Sequence, residues 1–213
     1  TGETAFISLM RDSVTNAPRS MNTITFSPSG QLIGQAGQSL YIIDLISGET
    51  TFMSLTHDSV TNIPLYMNAI AFNPSGQLIG QASQSLYIID LISGETTLVS
   101  LMYDPVTNSS HSMNAIAFNP SGQLIGQAGQ SLYIIDPNTG KTRLISLMYD
   151  SVTNGSHSMN TIVFDPSGQL IGQAGQGLYD INFVTGETTL MPLTHDPVTY
   201  GSLEMNAITF DSE

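Results

Sequence analysis

Cysteine and tryptophan are both absent from the 213-residue chain. Without cysteine there is no disulfide, no thiolate nucleophile and no cysteine-bound zinc. Every apolar run is much shorter than the about 20 residues that a helix needs to cross a bilayer, so we expect no membrane insertion.

Basic residues are nearly absent as well. The chain has four Lys and Arg against 17 Asp and Glu, a formal net charge of -13. Nucleic acid and anionic lipid would be repelled, so neither is expected as a partner. The surface must consist largely of Ser, Thr, Asn, Gln and Gly, which suits hydrogen bonding to neutral polyols. The scarcity of lysine favours a secreted or cell-surface location, although the composition also fits a cytoplasmic protein.

The sequence does contain one segment that is repeated along the chain. "SGQLIGQAGQSLYIIDLISGETT" begins at Ser29, and copies begin at Ser75, Ser121 and Ser167. A Met-Asn pair recurs every 46 residues without insertion or deletion, at Met21, Met67, Met113, Met159 and Met205. A fixed period of this length is typical of repeat architectures.

Each repeat predicts four short strands. Residues 67–72 alternate small and large side chains, with Ala69 and Ala71 on one face and Ile70 and Phe72 on the other. Because both faces are apolar, this inner strand should be covered on both sides. Tight turns separate it from further strands at 77–82, 85–91 and 96–101. The pattern predicts an all-β protein, a β-propeller of four-stranded blades. A β-solenoid is the alternative, and the hairpin turns argue against it.

The stretches "AIAFNPSGQLIGQA" and "SLYIIDLISGETTLVSL" of the second repeat resemble a WD40-type or YVTN-type propeller blade. The matching features are the Phe-x-Pro-x-Gly turn and the Asp-x-x-x-Gly-Glu stretch. The sequence departs from WD40 repeats in two ways: Ile-Asp replaces Trp-Asp at Asp44, Asp90 and Asp136, and the Gly-His pair is missing. The resemblance implies the propeller fold over essentially the whole chain and says little about activity.

We predict a single domain over residues 1–213, with repeat units of about 1–46, 47–92, 93–138 and 139–184 and a partial unit at 185–213. The inner and outer strands occur five times, but the two middle strands occur only four times. The expected architecture is therefore four complete blades plus a split fifth, made of an outer strand near residues 4–9 and an inner strand at 205–210. Because unpaired strand edges promote association, we expect self-association through this incomplete blade.

An aspartate opens the "D-S/P-V-T-N" stretch of every repeat, at Asp12, Asp58, Asp104, Asp150 and Asp196, with Tyr200 in place of the Asn in the last copy. A ring of carboxylates suggests a metal site, but Asp followed by Ser or Pro also caps a tight turn. Calcium loops need several oxygen ligands at alternating positions, which a lone Asp does not supply. We therefore favour the turn, and we predict no metal and no cofactor.

The loops that connect each outer strand to the next inner strand vary most between repeats. They hold all the histidines and several tyrosines, whereas repeated glutamines flank the turn between the second and third strands. These side chains form either a recognition surface or loops that have drifted because little packing constrains them. The candidate ligand-binding residues are His57, Tyr66, Tyr103, His111, Tyr149, His157, His195, Tyr200, Gln38, Gln84, Gln130 and Gln176.

Signatures of catalysis are missing from the sequence. It has no Gly-x-Ser-x-Gly, no phosphate loop and no dinucleotide fingerprint. The lack of tryptophan removes the motifs of quinoprotein and sialidase propellers and argues against the fucose-lectin propellers. Identical residues in every repeat suit multivalent binding better than catalysis, which needs different residues in distinct roles.

We therefore predict a non-enzymatic, multivalent binding propeller with a glycan or protein ligand, plausibly a carbohydrate. The five-fold count and the period of about 46 residues are similar to tachylectin-2-type lectins, as an analogy. The alternative is a structural or protein-interaction scaffold, recently amplified or engineered, with no small-molecule ligand. A lyase-type propeller enzyme is a third hypothesis.

Overall fold

The computed structural model describes residues 10–175, 177–191 and 207–210. Regular structure in these residues consists of 19 strands in four sheets, and the sheets are the blades of a β-propeller. The predicted all-β class and four complete blades are confirmed. Among the described residues, no helix is both long and apolar enough to span a bilayer.

The first two sheets contain five strands each. Those of the first are β1 (Arg11–Asp12), β2 (Thr23–Phe26), β3 (Leu32–Ala36), β4 (Ser39–Ile43) and β5 (Glu49–Leu55). Those of the second are β6 (His57–Asp58), β7 (Ala69–Phe72), β8 (Leu78–Ala82), β9 (Ser85–Ile89) and β10 (Glu95–Leu101). Their spatial orders are β1-β5-β4-β3-β2 and β6-β10-β9-β8-β7.

The other two sheets repeat this arrangement. The third contains β11 (Ala115–Phe118), β12 (Leu124–Ala128), β13 (Ser131–Ile135) and β14 (Thr142–Leu147). The fourth contains β15 (Tyr149–Asp150), β16 (Thr161–Phe164), β17 (Leu170–Ala174), β18 (Gly177–Ile181) and β19 (Glu187–Leu190). The four long strands of each blade are antiparallel, as short hairpin turns require.

In the second and fourth blades, a two-residue strand links the blade to the one before it. The chain leaves β5 at Leu55, and β6 then pairs in parallel with the start of β10 in the next blade. The backbone N–H of His57 also donates to the carbonyl of Gly94, at 3.1 Å. In the third blade Tyr103 forms a single parallel bridge to Lys141 instead. The outer edges of consecutive blades are thus tied together by the chain itself.

Consecutive blades stack through side chains of unequal size. Ala69 and Ala71 of β7 lie in one buried cluster with Ile116 of β11, and Phe118 packs against that cluster. The two faces of the inner strand are therefore both covered, as the small and large alternation predicts. Burying an Ile or Phe side chain contributes about 1.5–3 kcal/mol, so this repeated fit is a major source of stability.

The inner strands β2, β7, β11 and β16 stand side by side around a central channel of about 140 Å³. Ile208, Thr209 and Phe210 line the same channel. The described part of the predicted fifth inner strand therefore contributes to the ring, although residues 207–210 are not in strand conformation. The predicted outer strand at 4–9 lies outside the described residues.

The fourth blade differs at its third strand. Asp180 stands where the other repeats have Ile, and it accepts a hydrogen bond from the side-chain amide of Gln169. Both residues line an open pocket of about 380 Å³ on this blade. The carboxylate is half-buried and paired, so the substitution gives the blade a polar surface patch in place of an apolar one.

Candidate functional site

Each described connecting loop begins with an aspartate that caps a turn. The Oδ1 atom of Asp58 accepts hydrogen bonds from the backbone N–H groups of Val60 (3.1 Å) and Thr61 (2.7 Å). Asn62 follows in the left-handed region, with φ of 56°, where Asn is among the best tolerated non-glycine residues. Asp12, Asp104 and Asp150 make the same bonds, so the turn interpretation is confirmed for the four described loops.

These hydrogen bonds also lower the pKa values of the capping aspartates. Bonds from the backbone and side chain of Thr61 lower the pKa of Asp58 below its ordinary value. The pKa of Asp12 is lowered further, because Arg19 adds an ion pair to bonds from Thr15. The caps are therefore ionised at neutral pH, and their Oδ1 atoms already accept hydrogen bonds within the loops.

A short backbone bridge closes every loop behind its tip. The bridges join Arg11 to Pro18, His57 to Pro64, Tyr103 to Ser110 and Tyr149 to Ser156. The residues between the bridge partners project into solvent, and they differ between repeats only after the aspartate, where Pro105 replaces Ser, and directly after the left-handed Asn. The four described loops therefore share nearly one tip, and most of their variation lies at the bridge and in the residues that follow it.

A second anchor holds each loop against the third strand of its own blade. The His157 ring lies 4.7 Å from the Tyr179 ring between centroids, and its Nδ1 is 3.0 Å from the Oγ1 of Thr188. His111 lies 4.6 Å from Tyr133 in the same way.

The first two repeats fill this anchor position with other side chains. Arg19 lies over Tyr41 and donates to its hydroxyl at 2.6 Å, whereas Leu65 belongs to the apolar cluster that contains Tyr87. Arg, Leu and His side chains thus occupy the same anchor position in different repeats.

Nine of the twelve candidate ligand-binding residues are described. Tyr66 is 62% exposed, and Gln84 and Gln130 are exposed as well. Half-buried positions are occupied by His57, Tyr103, His111, Tyr149, His157 and Gln38. Gln176, His195 and Tyr200 lie outside the described residues. Of the described loop tyrosines and histidines, Tyr66 is exposed and the other five are half-buried. His111 and His157 contact tyrosine rings of their own blade.

The glutamines of the second strands have a structural role. Gln35, Gln81, Gln127 and Gln173 are fully buried, and each side-chain amide donates to the backbone carbonyl two residues later. These bonds close the turn between the second and third strands. A direct contact to a ligand would require the buried amides to open the blade, so we assign the glutamines to folding.

The loop of the third blade forms one wall of a groove of about 600 Å³. Ile134 and Leu144 give the groove an apolar floor, and Asp104 supplies a carboxylate on the loop side. Lys141 and Arg143 also line the groove, where the other repeats have Glu and Thr, and Asp136 supplies a second carboxylate. This groove combines apolar surface with donors and acceptors, the composition of a site for a small polar ligand.

Titratable groups are dispersed in the part of the chain that the structure describes. It contains no group of three or more His, Cys, Asp or Glu side chains that could hold a metal ion.

Sequence reasoning missed the anchor position. Arg19, Leu65, His111 and His157 look unrelated, and only their shared place two residues before the Met-Asn pair marks them as equivalent. The tyrosine that belongs to each anchor lies 22 residues further along the chain, so the pairing becomes visible only in the folded blade.

The blades, the central channel and the strand order define a β-propeller. No protein-family model and no curated protein matches the sequence. The fold is similar to that of a protein of unknown function from Bacteroides thetaiotaomicron, with a TM-score of 0.58 and 14% identity over 89% of this chain and 54% of the other. A candidate gluconolactonase gives a TM-score of 0.54 and 18% identity, covering 80% of this chain and 63% of that protein.

An auxiliary nutrient binding protein from Bacteroides ovatus has a TM-score of 0.50 and 15% identity, with 89% of this chain and 44% of that protein covered. The chain thus spans only about half of the length of these proteins. At such low identity the similarity shows the fold alone, and the fold is shared by proteins named for binding and for catalysis.

Proposed function

We propose that the protein is a non-enzymatic, multivalent binding propeller whose connecting loops bind neutral carbohydrate. The observation that carries this proposal is the repeated loop frame. An aspartate cap, a backbone bridge and an anchor residue near a tyrosine recur in every described loop, while the residues at 17–20 and their equivalents differ between repeats. Binding residues are commonly carried by loops that a rigid scaffold positions.

The groove of the third blade shows how such a loop could hold a sugar. The apolar face of a pyranose ring would cover Ile134 and Leu144, and its hydroxyls would donate to Asp104 and accept from Lys141 and Arg143. Sites repeated at the spacing of one blade would reinforce one another by raising the effective ligand concentration. The aspartate caps are consistent with the non-enzymatic part of the proposal. Because they accept hydrogen bonds within turns, they are poorly placed to act as a general acid and a general base.

The first experiment is a glycan array probed with the intact chain, followed by calorimetry on any hit. The variant Lys141→Glu with Arg143→Thr gives the third blade the residues of the second, and we expect it to weaken binding at that site by about tenfold. Glu95→Gln in the second blade is the matched control and should leave affinity unchanged. Silence of the intact chain across the array would overturn the proposal.

A specific observation also favours a protein-interaction scaffold. The loop-tip residues Val14, Val60, Val106 and Val152 are each about 90% exposed, and Phe52 of the first outer strand is half-exposed. Repeated exposed apolar side chains commonly mark contact surfaces. Replacing the four valines with Ser should abolish capture of a protein partner if this second function is correct, and should leave a carbohydrate site intact.

A secreted or cell-surface location belongs to the proposal because the chain contains a single lysine and is strongly acidic. Fractionation of the source cells with an antibody to the chain would test it. Recovery of the protein only from the cytoplasm would contradict it.

A further inference from the structure

The interfaces between consecutive blades are built from equivalent residues but are filled unequally. At the interface of the first and second blades, Met53 and Leu91 pack against the buried cluster. At the interface of the third and fourth blades, the equivalent residues Ile145 and Phe183 do the same. These large side chains, which come from the outer strand of one blade and from the turn of the next, seal the two interfaces.

The interface of the second and third blades is not sealed. Its equivalent residues are Val99 and Pro137, which are smaller and do not join the buried cluster there. Both instead line an open cleft of about 330 Å³, which we call the interblade cleft. The cleft follows from these two substitutions, because the strands and turns around it are the same in the neighbouring repeats.

The walls of the interblade cleft are apolar. Its apolar lining includes Leu86, which is fully buried, together with Ile79, Ile88 and Phe118. None of the described residues that line it carries a charge. An apolar cavity of about 150 Å³ is sufficient to bind benzene, so the interblade cleft has room for a larger ring with a substituent.

Hydrogen-bonding groups stand at the mouth of the cleft. The Nδ2 of Asn73 donates to the Oε1 of Gln77 at 3.1 Å, which fixes the orientation of the Gln77 amide. Among the described residues, neither the Nε2 of Gln77 nor the side-chain amide of Asn138 has a hydrogen-bonding partner. The mouth therefore offers oriented donors and an acceptor above an apolar floor.

We propose that the interblade cleft binds an uncharged small molecule with an apolar ring and one hydroxyl or amide group. The ring would replace water against Ile79, Ile88 and Phe118, and the polar group would bond to Gln77 or Asn138. A carboxylate would be desolvated without a cation to pair with it, and a sugar would place hydroxyls against apolar walls. This site is separate from the loop grooves, so its test does not depend on carbohydrate binding.

The test is a fluorine NMR titration with 4-fluorobenzyl alcohol as the probe. We expect one saturable site in the intact chain, and no saturable binding of 4-fluorobenzoate or methyl glucoside at that site. The variant Val99→Met with Pro137→Leu installs the residues of the first interface. Because those residues already fill an equivalent place, the variant should fold normally and bind the probe at least about tenfold more weakly.

The reciprocal variant makes the test stringent. Met53→Val with Leu91→Pro copies the second interface into the first and should create an additional probe site. Unchanged binding in the first variant, no gain in the reciprocal one, equal binding of 4-fluorobenzoate, or no saturable binding by the intact chain would each overturn the proposal.

Discussion

The imidazole of His157 lies between two strands of its own blade, 4.7 Å from the ring of Tyr179 and within 3.0 Å of the hydroxyl of Thr188. The contact joins the end of a connecting loop to β18 and β19. In the third blade, His111 and Tyr133 make the same aromatic contact, but the Nε2 of His111 and the Oγ1 of Thr142 are buried without a partner among the described residues. A histidine that sequence reasoning assigned to ligand binding thus has a structural contact.

We expect His157→Ala to destabilise the protein by about 1–2 kcal/mol, the sum of one aromatic contact and one hydrogen bond. His157→Leu is the matched control, since Leu65 fills the equivalent place, and it should lose less than half of that amount. Denaturant unfolding gives the free energies, and hydrogen exchange of residues 151–156 reports the loop. Unchanged loop exchange in His157→Ala would show that the contact is not an anchor.

Gly140 and Gly129 should respond in opposite ways to substitution. Gly140 has φ of 71°, and a Cβ there would lie 1.8 Å from the carbonyl oxygen of Leu101 in the preceding blade. We expect Gly140→Ala to cost about 2 kcal/mol or more, because strain and a backbone clash combine. Gly129 has open space around its Cβ position, and the equivalent Ser83 already adopts φ of 53°. Gly129→Ser should therefore stay within about 1 kcal/mol of the wild type. Equal thermal midpoints for the two variants would contradict this account.

The aspartate caps should make stability fall in acid. Asp90 caps the turn between β9 and β10, where its Oδ1 accepts from the backbone N–H groups of Ile92 and Ser93. Bonds from the backbone and side chain of Ser93 lower the pKa of Asp90 below its ordinary value of 3.8, and the pKa values of seven more described aspartates are lowered by bonds of the same kind. Since the folded-state pKa is below the unfolded one, this stability is fully present above pH 3.8 and is lost as the pH falls through the folded-state values.

The variant Asp90→Asn isolates one of these caps. Asn still accepts the turn hydrogen bonds but does not titrate in this range. We expect the wild type to be more stable than the variant near pH 7, and the difference to vanish in strong acid. Thermal midpoints measured from pH 7 to pH 2 test this, and a difference that grows as the pH falls would be the wrong sign.

Self-association through the incomplete blade remains a prediction. Ile208 and Phe210 line the central channel beside the four described inner strands, but the sequence has no fifth copy of the middle strand pair. We expect sedimentation to show an oligomer that dissociates on dilution, and deletion of residues 1–9 and 205–213 to abolish it, because strand edges left unpaired promote association. A chain that stays monomeric across a wide concentration range would refute the prediction.

The sequence alone determined the strands, the turns and the stacking of the blades. These features are local or periodic. The alternation of Ala71 with Phe72 shows which face of the inner strand carries the large side chain, for which the neighbouring blade must leave space. Asp58 caps a turn formed by the residues next to it in the sequence. A repeat without insertions also predicts that equivalent residues take equivalent places, so the strands and turns predicted for one unit apply to the others.

Only the tertiary structure decided which residues meet across repeats and which interfaces are filled. His157 contacts Tyr179 because a loop folds back onto its blade, a pairing that no local pattern records. The interblade cleft depends on the combined volumes of Val99 and Pro137, which belong to different strands and turns. Packing depends on the combined volume of side chains from several segments, and this volume is apparent only when the blades are assembled.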